Sequence, residues 1–529
     1  MLNTRHGRSG MISAPHHLAA EAGAQVLREG GNAVEAMVAA AACIAVVYPH
    51  MNAVGGDGFW LIAEPGKQPV GVDACGQAAQ LATIDFYKVQ GLSEIPSRGP
   101  LAALTVAGTV GGWAEALKVA APWGRSLPLS RLLAPAVEHG KKGVGITAGQ
   151  ESLTREKLSQ LADVPGFAQI FLAGGVVPPE GETQRQTALA ATLERLGEAG
   201  LDDFYRGDLA RSISADMEKL GAPVRLADLE AYHAKQAPPL STELRSGRIY
   251  NMPPPTQGVS SLMILAIFDR LGVTEAETFE HIHGLVEAAK QAFILRNAHV
   301  TDPQEMSVSA ADWLQPGFLD ELAGRIDPAR AMPWPYEPKP GDTIWMGCAD
   351  AEGRVVSFIQ SVYWEFGSGV VLPESGLLWQ NRGTAFSLDP AHHNCLKPGK
   401  RPFHTLNPAL ARLKDGRTLA YGNMGGEGQP QSQSAVYSRH VMFGQGLQEA
   451  VTAPRWLLGR TWGENTTTLK LESRFDPALV EKLKAAGHQV ELLEPFTSTM
   501  GHAGAVSVSG DGRFLGASDP RSDGDAVAL

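Results

Sequence analysis

Apolar residues recur at three- and four-residue intervals over much of the first two-thirds of the chain, whereas the last third is written in alternating or continuous apolar runs. The first pattern predicts helices over 17–48, divided by Gly30-Gly31-Asn32, with Asn32 able to cap the second of the pair. It predicts further helices at 114–121, 129–140, 187–200, 208–220, 258–271 and 278–297. The second pattern predicts a hairpin of strands 343–349 and 354–363 about Asp350-Ala-Glu-Gly353, with strand-like pieces at 370–372, 376–380, 418–421 and 503–509. Two strands come earlier: 59–63, entered from the glycine loop 52–58, and 248–252, stopped by three consecutive prolines at 253–255. Helices early and strands late suit an α+β protein in which two packed sheets are covered by helices on both outer sides. No internal repeat or linker composition divides the 529 residues, so one domain is expected.

Between the two patterns lies 327–342, DPARAMPWPYEPKPGD, whose five prolines exclude a packed helix or strand. It ends at Asp342, and the next residue, Thr343, opens a strand. A hydroxyl at the junction of an open loop and a buried strand fits an ordinary strand start, and it also fits a nucleophile.

Composition narrows the function. Lys and Arg total 45 against 56 Asp and Glu, a formal net charge of -11, and no basic block interleaved with aromatics tracks a phosphate backbone, so nucleic acid is excluded as the expected partner. The longest apolar run, 36–48, falls short of the ~20 residues a membrane-spanning helix needs and reads as a core helix. The N-terminal segment lacks an apolar stretch followed by a small-residue cleavage site, which makes the cytoplasm the default location. Cys43, Cys75, Cys348 and Cys395 are too few and too dispersed for a disulfide framework. His281 and His283, two apart on a helix, point in different directions, and His392-His393-Asn394-Cys395 lacks zinc spacing; neither a metal nor another cofactor is expected.

Among chemical motifs, Gly-x-Ser-x-Gly, His-Glu-x-x-His and the phosphate-binding Gly-x-x-x-x-Gly-Lys-Ser/Thr loop are absent from the sequence. Gly422-Asn-Met-Gly425-Gly426-Glu-Gly428 follows a predicted strand but has the wrong spacing for a dinucleotide. On spacing alone it is a tight turn; chemically, its backbone N–H groups could also face a developing oxyanion.

Several separated stretches together resemble the gamma-glutamyltranspeptidase family of N-terminal-nucleophile hydrolases. They are Ser13-Ala-Pro-His-His-Leu-Ala-Ala-Glu-Ala-Gly23, Glu29-Gly-Gly-Asn-Ala-Val-Glu-Ala36, Gly55-Gly-Asp-Gly-Phe59, Met252-Pro-Pro-Pro255, Gly341-Asp-Thr343, Phe366-Gly-Ser-Gly369, Lys400-Arg-Pro402, Gly425-Gly426 and Gly516-Ala-Ser-Asp-Pro-Arg-Ser522. All fall in the family's order and extend over nearly the whole chain. The resemblance implies a four-layer αββα sandwich made as a precursor that cuts itself between Asp342 and Thr343, leaving chains 1–342 and 343–529 associated, with a dimer of processed units as a further expectation. It implies Thr343 as nucleophile, Ser361 as its supporting hydroxyl, and Gly425 and Gly426 as the oxyanion hole. The freed α-amino group, with an ordinary pKa of ~7.7–8.0, can take the proton of its own hydroxyl near neutral pH.

The residues expected to grip a γ-glutamyl group are changed. Cys75 stands where the family has an arginine, Tyr363 for an asparagine, Arg382 for a glutamine, Ala385 for an aspartate, and His404-Thr405 for a serine pair. Losing the anion that binds an ammonium forfeits ~1.5–3 kcal/mol, and Arg382 adds repulsion. A guanidinium near the nucleophile instead suits a small carboxylate without an amine. The segment 386–400 is also shorter than the lid-bearing form, which favours water over an acceptor amine. The expectation is therefore a threonine amidohydrolase acting on a small carboxylate-bearing amide, oxamate being the best match, with Arg382, Tyr363, His404 and Thr405 lining the substrate site. The alternatives are a γ-glutamyl hydrolase or transferase, a cephalosporin-type acylase, and an inactive homologue that binds a small anion.

Overall fold

The computed structural model describes residues 3–334, 342–459 and 467–529. The last part of the proline-rich approach, 335–341, and with it Gly341 of the cleavage motif, lies outside the described residues.

Two seven-stranded antiparallel sheets form the centre. One runs Asp525–Ala528, Gly10–Ala14, Asp342–Asp350, Val355–Tyr363, Asp57–Ala63, Val70–Ala74, Lys235–Ala237. The other runs Arg5–Gly7, Phe514–Ser518, Ala503–Val508, Thr418–Asn423, Ala409–Leu413, Gly247–Asn251, Leu240–Leu244. They face each other through Met11, Phe59, Leu61, Trp345, Ile359 and, opposite, Tyr250, Leu410 and Val506. Helices His17–Arg28, Ala33–Val47 and Thr109–Ala120 pack on the outer face of the first sheet, and Gly258–Arg270, Gln429–Tyr437 and Leu447–Thr452 on that of the second.

Side-chain alternation explains this arrangement. Along Asp342–Asp350, Ile344, Met346 and Cys348 turn toward the helical layer, while Trp345 and Ala349 turn toward the other sheet. A strand buried on both faces is apolar at nearly every position, which is why 343–349 reads as a continuous run. The helix Ala33–Val47 is buried along its whole length and starts on a full capping box, with Asn32 Oδ1 accepting from the N–H groups of Val34 and Glu35, and Glu35 Oε2 from that of Asn32. Asp350, at the hairpin, accepts from the Ala33 N–H at 3.0 Å and so ties this helix to the end of the central strand.

The expected helices are present within a few residues of their bounds. Two strand expectations fail. The pieces at 370–372 and 376–380 meet only in isolated bridges, Val371 with Leu378 and Trp379 with Gly55, because Gly376 turns the chain with φ +67° before a ladder can form. The reverse also occurs: Gly10–Ala14, unremarked in the sequence, is a core strand beside Asp342–Asp350, pairing Ser13 with Gly347 and Gly10 with Asp350.

Candidate active site

Thr343 is the second residue of its strand and fully buried. Pairing with Val355–Tyr363 begins at Asp342 opposite Tyr363 and resumes at Ile344 opposite Gln360, so two steps on one strand oppose three on the other. This bulge sets Thr343 against the stretch that holds Ser361, where the regular ladder is interrupted and a side chain can be re-aimed. The Thr343 hydroxyl accepts a bond from Gln429 Nε2 at 3.3 Å. Ser361 Oγ accepts from the Tyr363 N–H at 2.8 Å, and Ser361 pairs across the sheet with Asp57.

Gln429 heads the helix Gln429–Tyr437, which follows the strand Thr418–Asn423 through Gly425 and Gly426. These two glycines have φ +125° and +49°, a backbone path that only glycine follows without strain. The loop thus brings the head group of Gln429 to the Thr343 end of the facing sheet.

Arg382 lies on the short turn Arg382–Ala385 and is fully buried. Its guanidinium stacks on Tyr363, 3.7 Å from the ring centroid, and Nη1 donates to Thr405 Oγ at 3.2 Å. Tyr363 holds φ +84° to place its ring there, an uncommon strain for an aromatic residue. Arg382 Nε and Nη2 have no hydrogen-bond partner among the described residues. Burial lowers its pKa to about 10, with Tyr363 and Asp57 opposing the shift, so it stays charged at neutral pH.

Behind the arginine, His404 Nε2 meets Asp57 Oδ2 at 3.0 Å, and Asp57 Oδ1 accepts from the N–H groups of Gly76 and Gly108 and from Gln380 Nε2. Burial raises the Asp57 carboxyl to about 7 against the pull of Arg382, and burial with Arg382 holds His404 well below its usual value, so the imidazole is neutral. Asp57, Cys75 and His404 bring one donor atom each within 4.8 Å of one another. Both Asp57 oxygens already accept hydrogen bonds and Arg382 adds positive charge, which disfavours a cation there.

The sequence matches the Gamma-glutamyltranspeptidase family over residues 19–529. The chain belongs to the gamma-glutamyltranspeptidase family. It is 53% identical over 519 residues to the oxamate amidohydrolase proenzyme of Klebsiella pneumoniae, covering 98% of each chain. It is 40% identical to the glutathione hydrolase-like YwrD proenzyme of Bacillus subtilis over 99% of each. Among solved structures it resembles the cephalosporin acylase of Bacillus halodurans, with a TM-score of 0.91 and 32% identity over 100% of this chain and 97% of that one.

Within this gamma-glutamyltranspeptidase-family fold the residues singled out from the sequence converge in linked pairs. Thr343 and Ser361 share neighbouring strands; Tyr363, Arg382 and Thr405 touch in series; His404 stands behind them. The segment 386–400 closes as a small loop through Ser387, Asn394 and Leu396. Sequence reasoning did not single out Gln429 or the carboxylate of Asp57, which the structure places against Thr343 and His404. The helix at 429–437 is written Gln-Pro-Gln-Ser-Gln-Ser, yet the structure buries every position, and polar residues are kept in a core only where they bond something. Of the histidines, His281 reaches Ser438 at 2.9 Å, while His283 faces His488 at 2.9 Å beside Glu287, whose carboxylate is taken by Lys290. Among the described residues, no helix is long and apolar enough to cross a membrane.

Proposed function

We propose that this chain is a self-processing amidohydrolase that converts oxamate and water to oxalate and ammonia. The observation that carries the substrate reading is Arg382: a buried guanidinium, stacked one ring away from the Thr343 strand, with two donors unpartnered. A buried charge with open donors is costly unless a ligand supplies the counter-charge, and a carboxylate fits a guanidinium with two parallel bonds. The likeness to the oxamate amidohydrolase proenzyme supports the choice of acid.

In this reading the precursor is cut between Asp342 and Thr343, giving chains 1–342 and 343–529 of one αββα N-terminal-nucleophile sandwich. Each sheet takes strands from before and after the cut, paired edge to edge, which supports their staying together. The new α-amino group of Thr343 takes the proton from its own hydroxyl, and the oxygen attacks the amide carbon of oxamate. Gly425 and Gly426 hold the oxyanion, Ser361 and Gln429 steady the nucleophile, and Arg382 with Thr405, over Tyr363 and backed by His404, holds the carboxylate. The tetrahedral intermediate expels ammonia as the amine proton is passed to nitrogen, and water then opens the oxalyl ester. Four buried free cysteines agree with a cytoplasmic setting.

Two measurements test this. Denaturing electrophoresis of the purified protein is expected to give two chains, and Thr343→Ala a single uncut one without activity. Ammonia release is expected from oxamate and not from glutathione or a glutaryl amide; preference for either of the latter points to the γ-glutamyl or acylase chemistry instead.

A further inference from the structure

The carboxylate grip and the oxyanion loop are joined by one side chain. Gln257, fully buried between the three prolines at 253–255 and the helix Gly258–Arg270, donates from Nε2 to the Thr405 carbonyl at 2.7 Å and to the Gly426 carbonyl at 2.8 Å. Its backbone N–H donates to the His404 carbonyl at 2.9 Å. Its Oε1 accepts from Arg296 Nη1 at 2.7 Å, and the other arm of Arg296 holds Glu427, next to Gly426, at 2.5 Å. Arg296 is itself packed over Phe293, 3.9 Å from the ring centroid. Only a carboxamide offers two coplanar N–H donors beside an acceptor oxygen, so no other side chain of this length satisfies all three partners.

Thr405 carries the hydroxyl that Arg382 binds, and Gly426 is half of the proposed oxyanion pair. The Gln257 amide therefore spans the two places where the two ends of a substrate would be held. We propose that Gln257 is a positioning residue that fixes the separation of the carboxylate grip from the oxyanion loop, and thereby the number of carbons an acyl group carries between its carboxylate and its amide. This rests on the reading of Arg382 as the carboxylate grip. It makes the site a ruler for a two-carbon acid: a longer acyl chain would place its amide carbon beyond the glycine amides or lift its carboxylate off Arg382.

The test compares oxamate with malonamate, one methylene longer, on processed wild type and Gln257→Met, which keeps the length and loses the bonds. One methylene in a fitted site is worth about 10- to 200-fold in kcat/KM. Wild type is expected to favour oxamate within that range, and Gln257→Met to lower kcat for oxamate more than it raises KM and to narrow the preference about tenfold. Equal loss on both substrates would make Gln257 merely structural and overturn the proposal. Should that variant fail to fold or to cut itself, Arg296→Gln, which frees Gln257 Oε1, is expected to narrow the preference in the same direction, and an unchanged ratio overturns the proposal. A crystal structure of wild type with oxalate needs no variant: one carboxylate on Arg382 and the other at Gly425–Gly426 supports the ruler, and any other pose overturns it. Failure of the underlying reading looks different. Wild type would then hydrolyse pyruvamide, which lacks the carboxylate, as well as oxamate.

Discussion

Arg382 is the residue on which the proposed substrate choice turns, and its surroundings say how it can be broken. Stacking on Tyr363 and the bond to Thr405 leave the remaining edge of a planar fork open. Lysine keeps the charge but offers a point donor, with neither the stacking plane nor the two parallel bonds. Arg382→Lys is therefore expected to lower kcat/KM for oxamate by about 10- to 100-fold, the equivalent of one charged hydrogen bond, chiefly through KM because the carboxylate is held equally in ground and transition states. Steady-state ammonia release measures it, and an unchanged KM would remove Arg382 from the binding site. Gln429 differs in kind, since it bonds the Thr343 hydroxyl, the proposed nucleophile.

At the level of strands, the sheets close on one tryptophan. Trp345 lies between them, with its indole N–H on Ser357 Oγ at 3.0 Å, and three glycines make room for it: Gly347 on its own strand, and Gly422 and Gly504 on the facing sheet. A Cβ at Gly422 would fall on the indole ring, and the ring cannot retreat, because Gly347 and Gly504 already meet its far edge. Gly422→Ala is expected to cost about 1–3 kcal/mol, as overpacked cores do, read as a lowered denaturation midpoint at unchanged m-value. Thr418–Asn423 leads into Gly425, so activity should fall with it. This sandwich also marks where sequence reading stops. Apolar period gave the strand at 343–349 and its hairpin partner, and the family resemblance pointed to Thr343, Ser361, Arg382 and the glycine pair as candidates. The strand Gly10–Ala14 escaped because it is five residues long, opens on a glycine, holds a serine and stops at Pro15, too short for either apolar period to show. The bulge opposite Thr343 escaped because register is a property of two strands, not of either. Gln257, Asp57 and Gln429 escaped for the same reason: their partners Gly426, His404 and Thr343 lie far away in sequence, and no local period encodes such a contact.

The whole molecule is interleaved, since each sheet takes strands from both sides of the Asp342–Thr343 bond, and two chains made by the proposed cut there would share their ladders and unfold together. The trigger for acid unfolding lies in the same core. Burial lowers His16, His281 and His488 to about 3 and His502 to about 4, and holds His50 and His404 well below 6.5. In the unfolded chain these imidazoles take up protons as the pH falls through 6.5, while in the fold they stay neutral. The unfolded state then binds more protons, so stability falls with falling pH. Each such histidine contributes a slope of up to about 1.4 kcal/mol per pH unit between 6.5 and its folded value. Asp57 works in the opposite sense: raised to about 7 from 3.8, it favours the fold below 3.8 and loses that contribution as pH rises through 7. Burial also raises Asp73, Asp216, Asp350 and Asp523, which act in the same sense as Asp57, and lowers His139 and His440, which add to the histidine slope. The eight histidines outweigh these carboxyls above pH 5, where most carboxyls are ionised in either state. The unfolding midpoint is expected to begin falling just below pH 6.5 and to drop by roughly 10 °C by pH 5. Calorimetry across pH 5 to 8 measures it; a midpoint that stays level until pH 4.5 would mean that carboxylates, not the buried imidazoles, set the acid limit.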